Sequence, residues 1–200
     1  MDLDVAGLRE RLKRTPPAFS VYGDDGAGRE AAGVTPAAVL IPIVAHAEEL
    51  TVLFTQRTSH LKSHSGQISF PGGRAEPEDP TPEFTALREA QEEIGLAEER
   101  VEILARLADY YTRTGYRVTP VVGLLTPPLE LTPDRREVEE IFEVPLKFLL
   151  DPSNHQRKMR ELQGRTVAYY EMPYGNRHIW GATAGMIVNL YQHLAQSAAV

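Results

Sequence analysis

Two periods of apolar residues divide the chain into elements. Val5, Leu8 and Leu12 recur at helical spacing with charges between them, which predicts a short amphipathic helix over residues 4–14, stopped by Thr15-Pro16-Pro17. Residues 18–35, rich in Gly, Asp and Ala, read as an irregular surface segment. Two β-type runs, Ala37 to Ala45 and Thr51 to Arg57, are joined by a polar connection and predict a hairpin. Further strands are expected at Gln67 to Phe70, Val101 to Tyr110, Arg117 to Leu125 and Thr166 to Glu171. Thr81-Pro82 can start a helix with a hydroxyl cap and a proline preset for the first turn, and Gly95 can end it. Its expected buried stripe is Phe84, Leu87, Ala90 and Ile94. A last helix, about Ala182 to Gln196, carries Met186, Ile187, Leu190, Tyr191 and Leu194 on its apolar side. Strands interspersed with a few helices indicate an α+β chain or a mixed sheet between helices, and the Pro127-Pro128 and Asp151-Pro152 joints read as loops within it.

Composition narrows what this frame does. A chain of 200 residues is enough for one domain with a sizeable core. The formal charge of -7 has the wrong sign for holding nucleic acid by neutralising phosphates, so nucleic acid is not an expected partner. With no cysteine, disulfides, thiolate metal sites and thiol nucleophiles are excluded. The longest apolar stretches fall far short of the roughly 20 residues of a membrane span, and the N-terminus lacks the positive start and apolar run of a secretory signal. A cytoplasmic protein without membrane partners is the expectation.

The chemistry concentrates in one acidic segment. Residues 74–100 hold nine acidic and three basic side chains. Within it Glu89, Glu92 and Glu93 share roughly one quadrant of the expected helix, where like charges repel and Arg88 offers local relief. Such a face is either solvated surface or a place for a hard divalent cation, which takes oxygen ligands. Upstream lies Phe70-Pro71-Gly72-Gly73, whose glycines permit close approach of backbone to a ligand.

The segment from Gly73 to Leu96, GRAEPEDPTPEFTALREAQEEIGL, resembles the Nudix box GX5EX7REUXEEXGU. The resemblance implies a mixed β-sheet sandwiched between α-helices, with residues 36–200 as the Nudix domain and residues 1–35 as an N-terminal helix and irregular segment of the same unit. It places Glu89, Glu92 and Glu93 on the family's metal-binding glutamates, binding Mg²⁺ or Mn²⁺, and Arg88 on the arginine that orients them. Asp79 stands where the pattern has its first glutamate, with eight residues rather than seven between it and Arg88, and Ala90 replaces a bulky aliphatic.

A second resemblance narrows the substrate. LFTQRTSHLKSHSGQISFPGG, from Leu53, is similar to the signature LLTXR[SA]X3RX3GX3FPGG of the coenzyme A pyrophosphatase branch, with Phe54, Thr58 and Lys62 as departures. GYRVTPVVGLL from Gly115, EVEEIFEVPL from Glu137 and IWGATAG from Ile179 also look like that branch. The implied reaction splits the coenzyme A pyrophosphate into 3′,5′-ADP and 4′-phosphopantetheine. Arg57 and Lys62, with Gly72 and Gly73, are the expected substrate contacts, and Arg74, Arg113 and Arg117 are further local cations. The water's base is sought among Glu92, Glu93, Glu137 and Glu140, the last two of which read equally as an acidic loop. His60 and His64 read more simply as surface histidines than as ligands, and Tyr116 and Thr119 as strand residues rather than pocket lining. Another nucleoside diphosphate derivative, such as ADP-ribose or NADH, and a non-catalytic nucleotide sensor stay open beside this reading. Monomer and homodimer are equally open.

Overall fold

Strand β1 (Thr35–Ala45) orders the molecule, a computed structural model that describes residues 3–14, 33–59, 66–162 and 164–196. On one side β1 runs parallel to the strand Tyr116–Leu125, in register from Thr35↔Tyr116 to Val44↔Leu125. On the other side it pairs antiparallel with β2 (Leu50–Arg57), forming the expected hairpin, and then with the short strand Gly72–Arg74. In chain order β3 is Ile68–Ser69, β4 Gly72–Arg74, β5 Val101–Arg106, β6 Tyr110–Tyr111, β7 Tyr116–Leu125 and β8 Val138–Pro145. These eight strands form one mixed sheet whose main order is β3-β2-β1-β7-β5, with β8 on the outer side of β2. The strand expected from Val101 to Tyr110 is therefore two strands, β5 and β6, each paired with β7 and separated by Leu107, Ala108 and Asp109.

Both faces of this sheet are covered, and the side chains of β1 sort between them by the two-residue period of a strand. Ala38, Leu40 and Val44 pack with α2 (Pro82–Ile94), whereas Ile41 and Ile43 join α1 (Val5–Leu12) and α4 (Gly181–Ala195) on the opposite face. Leu40, Ile41, Ile43 and Val44 are fully buried, each such side chain contributing about 1.5–3 kcal/mol of burial. A mixed sheet between helices, the expected α+β architecture, is thus the fold. Helix α1 is tied to α4 through Arg11, which donates to the Leu194 carbonyl at 2.6 Å, and its Leu8 and Leu12 lie in the same core.

After β8 the chain makes the single turn α3 (Leu146–Leu149), then β9 (Gln156–Leu162), β10 (Arg165–Tyr174) and β11 (Arg177–Trp180), a separate antiparallel sheet. Met172 and Ile179, opposite each other in that sheet, anchor it in the core. No helix among the described residues is long and apolar enough to cross a membrane.

Helix α2 departs from its expected stripe. Ala86, Ala90 and Ile94 are buried with Glu93, but Phe84 is 43% exposed and Leu87 only half-buried. The small alanines let the helix approach Leu40, Leu53 and Val121, so they set the inner face and turn the bulky Phe84 to the side.

Candidate active site

Helix α2 is fixed at both ends by local chemistry. Thr81 Oγ1 accepts from the Phe84 amide at 3.2 Å, Pro82 occupies the first turn, and Gly95 ends the helix in the left-handed conformation at φ 68°. Its last carbonyls are claimed by the approach to β8: the Thr132 amide donates to the Ile94 carbonyl at 2.8 Å and the Asp134 amide to that of Glu93 at 2.9 Å. Glu137 follows directly, and its carbonyl accepts from the Thr58 amide at 2.9 Å just past β2. The C-terminal turn of α2, the end of β2 and the start of β8 are thereby stitched together.

The glycines of β4 make the space beneath the helix. A side chain at Gly72 would bring its Cβ within 2.5 Å of the Ala38 carbonyl, so glycine is what lets β4 press against β1. A Cβ at Gly73 would stand 2.6 Å from the Glu89 carboxylate, which fills that place instead. The Gly72 amide points at Glu93 Oε2, at 3.3 Å.

Two arginines then divide the carboxylates. Arg88 Nε and Nη2 donate to the two oxygens of Asp79 at 3.2 and 3.0 Å, while Nη2 also reaches the Arg74 carbonyl at 3.1 Å and Glu89 Oε1 at 3.0 Å. Nη1 meets Glu92 at 3.3 Å. Asp79 accepts in addition from Thr85 Oγ1 at 2.9 Å and the Glu76 amide at 3.0 Å, and is 2% exposed. Hydrogen bonds from Arg88 above all hold its carboxyl down at about 2. Arg57 stands on the other flank, with Nη1 3.6 Å from Glu93 and Nη2 3.4 Å from Glu137.

Burial is what distinguishes Glu93 from the rest. Its side chain is 7% exposed, and desolvation, opposed by Arg57 and reinforced by the nearby Glu89 and Glu137 charges, pushes its carboxyl up to about 8. Glu89 is also raised, by burial first and against the pull of Arg88. Glu92, with a side chain 60% exposed, lies at the rim. Among the described residues no three carboxylates or imidazoles are gathered as a finished metal cage. The donor set nevertheless fits a hard divalent cation: oxygen ligands, closely spaced, with two of them raised by burial and mutual repulsion that a cation would relieve.

Of the remaining expected residues, Glu137 joins this cluster and Glu140 does not. Phe54, Phe142 and Glu140 share the sheet face opposite α2, where Phe54 stacks on Phe142 and Glu140 is gripped by both terminal nitrogens of Arg177, one at 2.6 Å. The two-residue period of β8 separates it from the helix glutamates. In place of the acidic loop expected there, Glu140 lies within β8 and Glu137 immediately before it. Thr119 is buried and donates to Asp109 at 2.7 Å, Arg117 lies 3.6 Å from the same aspartate, and Tyr116 is 37% exposed. Lys62, His60 and His64 lie outside the described residues. Sequence reasoning missed the anchoring role of Asp79, although an acid two residues ahead of a Thr-Pro helix start is a visible signal.

Residues 34–163 match the NUDIX domain model, a span that contains β1 to β8 and the whole cluster around α2. The chain belongs to the Nudix family. Nudix relatives extend the match: a protein of Photorhabdus laumondii named uncharacterized Nudix hydrolase NudL is 42% identical over 158 residues, covering 79% of this chain and 84% of that one. The NudL protein of Yersinia pestis strain Pestoides F is 40% identical over 164 residues, covering 82% and 80%. Among solved structures, a MutT/nudix family protein from Enterococcus faecalis covers 96% of this chain and 74% of its own, with a TM-score of 0.50 at 14% identity, a likeness of fold. This Nudix chain is a hydrolase of pyrophosphate bonds, a class that generally works with divalent cations.

Proposed function

We propose that this Nudix hydrolase cleaves the pyrophosphate of coenzyme A, giving 3′,5′-ADP and 4′-phosphopantetheine. The observation that carries the reading is the convergence of the branch-like signature on the acidic helix. Its first half ends β2 at Arg57, beside Glu93, and its second half, Phe70 to Gly73, makes the floor on which Glu89 and Glu93 rest.

Glu89 and Glu93 are the residues to hold Mg²⁺ or Mn²⁺, joined by Glu92 from the rim, with Arg88 keeping Glu89 and Glu92 aimed through its own anchor on Asp79. A bound divalent cation supplies charge neutralisation at the phosphate oxygens and lowers the pKa of water. The chain's part is to place the anhydride, with Gly72 and Gly73 allowing close approach and Arg57 and Lys62 meeting phosphate oxygens. In the reaction one water oxygen bonds to phosphorus, the bridging P–O bond breaks, and a carboxylate takes the proton. We assign that transfer to one of Glu137, Glu92 and Glu93.

The test compares turnover of coenzyme A, ADP-ribose and NADH with Mg²⁺ or Mn²⁺, identifying products by mass spectrometry in ¹⁸O-labelled water. The expected result is metal-dependent release of 3′,5′-ADP and 4′-phosphopantetheine, with the label in one of them. Cleavage of ADP-ribose under conditions that leave coenzyme A intact would overturn the substrate assignment.

A further inference from the structure

Arg57 and Arg88 hold the same acidic cluster in different ways. Arg88 is pinned: besides its contacts with Glu89 and Glu92, Asp79 takes two of its nitrogens and the Arg74 carbonyl a further contact. Among the described residues Arg57 has no such anchor. Its contacts to Glu93 at 3.6 Å and Glu137 at 3.4 Å are long for charge-assisted bonds, and its Nε is buried with no hydrogen-bond partner among the described residues. It sits where the pairing of β2 with β8 slips by a residue between Gln56 and Arg57, at the very end of the strand. Glu137, the outer of its two partners, has a half-exposed side chain.

We infer that Arg57 is a displaceable counter-ion. Its guanidinium spans Glu93 and Glu137, the electrostatic place a divalent cation would take; when such a cation arrives, Arg57 leaves Glu93 and presents its fork to a phosphate oxygen of the substrate. This rests on the metal-binding reading of the cluster given above. A monovalent guanidinium at 3.6 Å is outcompeted by a divalent ion in direct contact with the same buried carboxylate, because the attraction grows with charge and falls with distance. Metal binding then produces the phosphate-binding group. Arg88, by contrast, stays on Asp79 whether or not a cation is present.

The experiment uses Mn²⁺ and Mg²⁺ alone, without substrate. Arg57→Gln is expected to bind Mn²⁺ about tenfold more tightly than the wild type by calorimetry or electron paramagnetic resonance, the size of one lost charge competition near a surface. Arg57→Lys is expected to stay close to the wild type. In the wild type, the Arg57 ¹⁵Nε–H resonance is expected to shift on saturation with diamagnetic Mg²⁺ while that of Arg88 holds still, a reading that requires no variant to fold. Unchanged or weaker Mn²⁺ binding by Arg57→Gln, or an Arg57 resonance that ignores Mg²⁺, would overturn the inference. A wild type that binds no Mn²⁺ at all sinks the metal-binding reading itself, and binding without coenzyme A turnover sinks the substrate assignment while leaving Arg57 as assigned.

Discussion

Helices α2 and α4 lie against opposite faces of one sheet and illustrate two ways of attaching a helix. Helix α4 buries Met186, Ile187, Val188, Leu190 and Leu194, an apolar stripe that would dock on any greasy surface. Helix α2 buries two alanines, Thr85, Ile94 and a glutamate, so apolar area alone holds it weakly. Its place is fixed by hydrogen bonds at its ends and by the Asp79–Arg88 pair. The helix that carries the acidic cluster is therefore held chiefly by specific polar contacts, and α4 chiefly by apolar bulk. Small residues bring its carboxylates down to the sheet, and polar anchors fix their direction.

The largest effect should come from the acid at the centre of α2. Glu93→Gln preserves shape and removes the charge, so turnover of any pyrophosphate substrate is expected to fall about a thousandfold, near 4 kcal/mol of barrier, while the fold persists. Circular dichroism with steady-state kinetics checks both halves. A variant that keeps turnover would show that the acidic helix face does not serve the reaction.

On the other face the sign of the comparison reverses. Leu190→Ala in α4, at a site 1% exposed, is expected to cost about 3 kcal/mol in urea unfolding through lost packing and an unfilled cavity. The kcat of the molecules still folded should stay within about twofold. Loss of kcat without loss of stability would mean that α4 reaches the chemistry after all.

Asp79→Ala lies between these extremes, because it touches stability and site together. Asp79 is depressed to about 2 in the folded chain against an ordinary 3.8, so its contribution is complete above pH 3.8 and is lost as pH falls toward 2. The shift corresponds to about 2 kcal/mol, which the variant should lack at neutral pH and should no longer lose on acidification. Freed from its anchor, Arg88 should also hold Glu89 less well, lowering turnover by about ten- to a hundredfold. Unfolding curves across pH 2 to 6 separate the two effects, and equal acid sensitivity in variant and wild type would remove Asp79 from the account.

The same contrast explains what could be read before any coordinates. Helix α4 was largely legible, since Met186, Ile187, Leu190 and Leu194 are large side chains at helical spacing, although Tyr191 is only partly buried and Val188 is buried beside them, and the β1–β2 hairpin was equally plain in Ala37–Ala45 and Thr51–Arg57. The ends of α2 were legible because Thr81, Pro82 and Gly95 act through local chemistry. Strand β9 escaped because QRKMREL has no apolar alternation to bury, and Met159 within it is 62% exposed. The division of Glu137 from Glu140 depends on which face of β8 meets α2, and the pinning of Arg88 by Asp79 depends on a loop closing over nine residues. Neither is written in a local period.

Phe84 gives the smallest expected effect and the sharpest test of how α2 docks. Apolar spacing assigns it to the buried stripe with Leu87, and a phenylalanine truncated there would cost about 3–5 kcal/mol. In the structure it is 43% exposed, and what α2 draws from it is its backbone amide, bonded to Thr81, which any residue supplies. Phe84→Ser should accordingly change unfolding free energy by no more than about 0.5 kcal/mol and leave turnover unaltered. A loss of several kcal/mol would mean that α2 is rotated toward its bulky side chains. Rotation of that size would also carry Glu93 away from Gly72 and Arg57, so a thermal melt of one surface variant tests the placement on which the whole acidic cluster depends.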